Sequence, residues 1–178
     1  MRLFIAIRLP RELKKEIGTL QHSIEDIRWQ PQHQFHITFE FCGEVSVTKK
    51  EVLLLKLETC EQSPFSVSIK NVKAFPSLDK PETIWVGVEK SPALKSLEQF
   101  VEERCISAGL KPKKREYVRH ITIGKCRKKP SAAVQQFLDT YQRWSASELE
   151  VNQFGLYHSI LSQKGATHTL LKRFELSE

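Results

Sequence analysis

Apolar residues recur in two rhythms along this 178-residue chain. Steps of three and four mark helices, and strict alternation marks half-buried strands. The run "RLFIAIR" at 2–8 predicts a strand that stops at Pro10. Leu13, Ile17, Leu20 and Ile24 then predict a helix over 10–26. A strand at 35–41, "FHITFEF", is followed by a turn, "CGEV". Val52, Leu55 and Cys60 are among the apolar positions of a helix over 47–61. Residues 65–75 alternate, with Phe65, Val67 and Ile69 on one face, and predict one strand; "TIWVGVE" after the loop "PSLDKPE" predicts another. Leu94, Leu97, Val101 and Cys105 form the stripe of a helix over 92–108, with Gly109 as its stop. A strand at 117–126, a helix near 131–143 and two strands near 147–161 and 167–176 complete the chain.

Strands and helices in this mixture predict an α+β domain. The order strand, helix, strand, helix occurs in both halves, with "HIT" in the third element each time, at 36–38 and 120–122. That repetition predicts an internal duplication into two similar lobes. No low-complexity linker divides them, so 1–178 reads as one domain made of two interleaved lobes.

Composition narrows the picture. There is no run of 18 apolar residues to cross a membrane, and the amino terminus lacks a signal-peptide pattern, so a cytoplasmic protein without a membrane partner is expected. Cys42, Cys60, Cys105 and Cys126 are scattered, with no Cys-x-x-Cys pair, and read as reduced packing residues. The formal charge of +7 is local: from Lys111 to Lys129 nine basic residues stand against Glu116, so this segment carries +8 and the rest −1. A positive field around the second "HIT" predicts a polyanionic partner; a solvated loop is the plainer reading of such a run.

On a strand, residues two apart share a face. His36 and Thr38 therefore point one way, as do His120 and Thr122. Phe35, Ile37 and Phe39, and Arg119, Ile121 and Ile123, point the other way, toward a core. An imidazole titrates near neutrality, so one ring can accept a proton while the other donates, and threonine hydroxyls donate to phosphate oxygens. One His-x-Thr alone reads as structural; two in equivalent strands read as metal-free phosphoester chemistry. His33, His158 and His168 lack the symmetry and read as surface or structural. His33 and His36 have helix-face spacing on a strand and no acidic or Cys partner, so no metal site and no cofactor are expected. No phosphate-loop, dinucleotide or nucleophile-elbow motif occurs.

These residues resemble the 2H phosphoesterase superfamily, and within it the bacterial and archaeal RNA 2′,3′-cyclic phosphodiesterases, historically called 2′-5′ RNA ligases. "RLFIAIRLP", "RWQPQHQFHITFEFCGEV", "PETIWVGVEKSPALKSLEQFVE", "REYVRHITIGKCR" and "LYHSILSQKGATHTLLKRFEL" carry the resemblance across most of the chain. It implies a bilobal fold, two pseudo-symmetric αβ lobes whose antiparallel sheets face a central cleft. It implies hydrolysis of a 2′,3′-cyclic phosphate on an RNA 3′ end or a nucleotide to a 2′-phosphate, with 2′-5′ ligation when a 5′-hydroxyl replaces water. His36 would be the proton donor and His120 the general base. Thr38, Thr122 and Lys125 would bind phosphate, and no obligate protein partner is implied.

Three positions depart from the family pattern: Arg119 stands where proline is usual, Lys125 where arginine is common, and His168 where a tyrosine is common. Lys125 also lies off the His/Thr alternation, so a bulge must turn it inward. Arg119, Arg127 and Phe41 are candidate RNA contacts, Phe41 by stacking, although its apolar strand favours a core position. A related phosphodiesterase acting on 2′-5′ oligoadenylate or small cyclic nucleotides, and a non-catalytic RNA-binding module, are the competing readings.

Overall fold

The computed structural model describes residues 1–112, 117–127, 129–163 and 165–177. Its strands are β1 (Arg2–Arg8), β2 (Ile27–Trp29), β3 (His36–Glu44), β4 (Phe65–Val67), β5 (Ile69–Pro76), β6 (Pro81–Val88), β7 (His120–Cys126), β8 (Leu149–Val151), β9 (Gln153–Ser162) and β10 (Gly165–Glu175). Four helices, α1 (Arg11–Gly18), α2 (Val47–Leu57), α3 (Pro92–Ser107) and α4 (Ala132–Tyr141), complete the described elements, with a single 3-10 turn at Gln32–Gln34.

Two four-stranded sheets form, in the orders β10-β9-β1-β3 and β2-β7-β6-β5, with a separate β4-β8 ribbon. All the pairings are antiparallel. The fold is thus the α+β mixture that the pattern predicts, with the antiparallel sheets that the resemblance implies. The halves are interleaved: β2, from early in the chain, borders the second sheet, and β9 and β10, from its end, complete the first.

The apolar alternation explains the layers. Ile5 and Ile7 of β1, Ile37 of β3, Val86 of β6 and Ile121 of β7 are all at most 2% exposed, and they join one core with Leu53, Leu97 and Val134 from the helices. Each such side chain contributes about 1.5–3 kcal/mol by leaving water. Ser46 and Ser91 cap α2 and α3 by accepting from the Lys49 and Leu94 amides, and Pro92 opens α3, where its missing N–H costs nothing. A second, smaller cluster of Phe4, Ala6 and Tyr157 lies apart from the main core. Strand alternation puts it on the opposite face of the first sheet.

Three expectations are corrected. The helix predicted over 10–26 ends at Gly18. The Thr19 hydroxyl donates back to the Glu16 carbonyl, and Leu20 reaches the core from a turn, so the apolar step outlasts the helix. The strand predicted over 65–75 splits at Ser68 into β4 and β5, which belong to different sheets. Asn71, at φ 68°, then shifts the pairing by one residue, so the buried set becomes Ile69, Val72 and Ala74. The strand predicted over 147–161 divides into β8 and β9. Among the described residues no helix is long and apolar enough to cross a membrane.

Candidate active site

The two motif strands are built alike. On β3, Arg8 lies opposite His36 and Ala6 opposite Thr38; on β7, Gly87 lies opposite His120 and Trp85 opposite Thr122. Beyond each threonine the pairing slips. Ile5 meets Glu40 rather than Phe39, and Ile84 meets Gly124 rather than Ile123. One extra residue is thus taken into each motif strand, which is a β-bulge. A bulge inverts the alternation, so the residue three beyond the threonine returns to its face. That residue is Phe41 on β3 and Lys125 on β7. Gly124, inside the second bulge, has no room for a side chain: a Cβ there would sit 2.8 Å from the Trp29 ring.

The motif histidines are oriented alike as well. His36 Nδ1 lies 2.6 Å from the Gln34 carbonyl, and His120 Nδ1 lies 2.8 Å from that of Val118. A carbonyl only accepts, so each Nδ1 carries the proton. Each neutral ring therefore turns an unprotonated Nε2 away from its own strand. Burial, helped by His168, Arg8 and His120, pulls the His36 pKa down to about 4. Burial, with Arg119, also lowers that of His120. Both shifts favour the uncharged ring, and His120 is the smallest of the contributors to the lowering at His36.

Their surroundings differ. His36 touches Phe4, with ring centroids 5.3 Å apart, and meets His168 edge-on at 5.3 Å. His168, expected at the surface or in a structural role, is half-buried, and β10 lays it beside the first motif histidine. Arg8, opposite His36, also stands over the Tyr157 ring at 5.2 Å. His120 is walled by Phe75, Trp85 and Tyr117, with centroids 5.0, 5.6 and 5.5 Å away. Tyr117 also lies near enough to the Thr38 side chain to interact with it. Thr38 is 5% exposed and Thr122 is half-buried.

One candidate RNA contact, Arg119, and the core reading of another, Phe41, are corrected. Arg119 is turned inward, with its side chain only 12% exposed. Its Nη1 donates to the Thr38 and Phe39 carbonyls at 3.0 and 2.9 Å, its Nε pairs with Glu98, and its guanidinium stacks on Tyr117 at 4.6 Å. It braces the β3 bulge instead of presenting a charge to a ligand. Phe41 is 47% exposed, because the bulge takes it out of the core its strand implied. Lys125 and Arg127 are exposed. Of the basic segment, Lys113, Lys114, Arg115 and Lys128 lie outside the described residues.

Sequence reasoning missed Arg8, Tyr117, Tyr157 and Arg28. Arg28 lies directly opposite Lys125 on β2, so the two side chains share a face of the sheet. Strands too short to show alternation hid it. His33 is exposed on the 3-10 turn and His158 is half-buried on β9. Among the described residues no group of three or more His, Cys, Asp or Glu side chains gathers as a metal site, and the four cysteines are free thiols.

Known proteins match this chain in sequence and fold. The profile of the 2′-5′ RNA ligase superfamily matches residues 9–161. An RNA 2′,3′-cyclic phosphodiesterase of Methanocaldococcus jannaschii is 30% identical over 98% of this chain and all of its own length. One of Archaeoglobus fulgidus is 29% identical, also over 98% of this chain and all of its own. Among solved structures, Escherichia coli LigT complexed with 3′-AMP superposes with a TM-score of 0.79 at 24% identity, covering 99% of this chain and 98% of that one. A Thermus thermophilus protein superposes at 0.82 and 22%, with the same coverage.

Proposed function

The chain belongs to the 2′-5′ RNA ligase superfamily, and we propose that it hydrolyses 2′,3′-cyclic phosphates, on RNA 3′ ends or on nucleosides, to 2′-phosphates. The observation that carries this reading is the matched pair of imidazoles, each held at Nδ1 by a carbonyl two residues back, with Nε2 free for proton transfer.

Water attacks phosphorus and the bond to the ribose 3′-oxygen breaks, with the two oxygens on opposite sides of the phosphorus. His120 Nε2 takes the proton from water. His36 Nε2 gives one to the departing 3′-oxygen. His36 must first acquire that proton, since it rests uncharged. The anionic substrate provides the cause, because a negative charge beside an imidazole favours its protonated form. The Thr38 and Thr122 hydroxyls donate to the nonbridging oxygens and stabilise their charge in the transition state. Tyr117, close to the Thr38 side chain, supports it from the other motif. Lys125, with Arg28 beside it, supplies positive charge on the His120 side. Replacing water by a 5′-hydroxyl turns the same steps into 2′-5′ ligation.

The test is turnover of a nucleoside 2′,3′-cyclic phosphate in EDTA by the wild type, His36→Ala and His120→Ala. Turnover to the 2′-phosphate, lost in both variants, is the expected result. Salt-sensitive RNA binding that survives both substitutions, with no turnover of mononucleotide or RNA ends, would leave a binding module instead.

A further inference from the structure

β10 repeats the geometry of the motif strands without their sequence. Leu170 lies opposite Tyr157 and Lys172 opposite Leu156, so Leu171 is an extra residue. The resulting bulge inverts the alternation, and His168, Leu170 and Arg173 come to share one face. Arg173 follows His168 by five positions, as Lys125 follows His120. Lys172 goes to the other side, where it pairs with Glu58 and approaches the Phe174 ring.

His168, Leu170 and Arg173 border a cavity of about 400 Å³ with Arg8 and Tyr157. Gly155, opposite Arg173, keeps room for its floor: a Cβ there would stand 2.9 Å from the Tyr157 ring. Arg8 stands over that ring, and its Nη2 reaches the His168 carbonyl at 3.4 Å. Among the described residues neither Arg8 nor Arg173 is in an ion pair, and no carboxylate lines the cavity. Two unneutralised guanidinium groups converging on one hollow are a site for an anion. The larger groove beside the motif strands, of about 1300 Å³, differs: Glu40, Glu98, Glu102 and Glu103 share its wall with Lys90, Lys95 and Arg119, so its charges largely cancel. The uncancelled positive charge lies on the β10 side.

We propose that Arg8, His168 and Arg173 form a second anion subsite, which takes the 5′-phosphate of the terminal nucleotide and makes the enzyme favour polynucleotide ends over nucleoside cyclic phosphates. This rests on the function proposed above. The His36 and His168 rings are 5.3 Å apart, so an anion at His168 lies within one nucleotide of the phosphate at His36. At an RNA 3′ end, the phosphate one nucleotide away is the 5′ linkage. A nucleoside 2′,3′-cyclic phosphate has no phosphate to place there.

The experiment compares kcat/KM for a nucleoside 2′,3′-cyclic phosphate with that for the same compound carrying a 5′-phosphate. At fixed ionic strength the wild type should favour the second by about tenfold or more, the scale of a charge-assisted hydrogen bond. That ratio should fall toward one in Arg173→Gln and in Arg8→Gln, and recover in part in Arg8→Lys. A wild-type ratio near one, or a ratio untouched by both glutamine variants, overturns the subsite. Calorimetric binding of a nucleoside 2′,5′-bisphosphate against the 2′-phosphate needs no turnover. A preference of about tenfold, lost in Arg173→Gln, upholds the subsite even if no cyclic phosphate is hydrolysed, a result that would overturn only the reaction. Equal affinities overturn the subsite.

Discussion

The two lobes set the same backbone device to different chemistry. On β3 and on β7 a histidine, a threonine and a bulge follow one another at the same spacing. Each histidine is anchored at Nδ1 by the carbonyl two residues before it. What surrounds the device differs. The first lobe sets His36 beside Arg8 and His168 and puts an aromatic, Phe41, at the position beyond the bulge. The second sets His120 among Phe75, Trp85 and Tyr117 and puts Lys125 there. Two rings held in the same way thereby sit in unlike surroundings, although burial lowers the pKa of both.

The comparison breaks most sharply at the histidines. His36→Ala and His120→Ala should each lower kcat/KM by more than the about 10²–10⁴-fold typical of one acid or base. A substrate with sulfur at the 3′-bridging position separates their roles, since a leaving thiolate needs no proton: it should restore His36→Ala and not His120→Ala. The threonines come next. Thr122→Val should lower kcat by about 10²-fold, the effect of removing one transition-state donor. Thr38→Val should match it if the lobes share the phosphate evenly. Arg119→Ala strands Glu98 and two bulge carbonyls. It should cost about 2 kcal/mol of stability, read by urea denaturation.

The pH response sharpens the asymmetry. His36 rests with a pKa of about 4, below the ordinary value, and a bound anion raises it, so binding in between takes up a proton. In His120→Ala, affinity for a nucleoside 2′,3′-cyclic phosphate, which stays singly charged, should therefore rise as pH falls from 7 to 5. The gain should be at most about tenfold per unit, with proton uptake visible by calorimetry in two buffers. The smallest effect is Lys125→Arg, which should tighten product binding by about three- to tenfold through a two-pronged contact. No gain there would mean that Arg28 already fills that role.

Both motif strands and their buried faces were legible because Phe35, Ile37 and Phe39, and Ile121 and Ile123, alternate with polar residues; all five are buried. The helices α2 and α3 were legible from their apolar steps. The bulges were not, because a bulge is a relation between two strands and only one is written at any position. The off-pattern place of Lys125 hinted at the second bulge, but nothing in "HTLLKR" marked the one at Leu171. Arg119 was misread for a related reason: its partners, the Thr38 and Phe39 carbonyls, lie about 80 residues away and are exposed to it only by the β3 bulge. His168 carries no threonine two residues on, so its approach to His36 depends on β10 reaching the same sheet, a fact of topology.

The interleaving of the strands has a consequence for how the protein comes into being. β1 pairs with β9, joining Leu3 to His158, while Arg28 of β2 waits for Lys125. Contacts at such sequence separations close slowly. During synthesis from the amino terminus, β1 and β3 can meet early, but the sheet that holds His36 has an open edge until nearly the whole chain has emerged. The motif histidine that is written first sits in the sheet completed last, and a chain truncated before β9 should not hold His36 in its native surroundings.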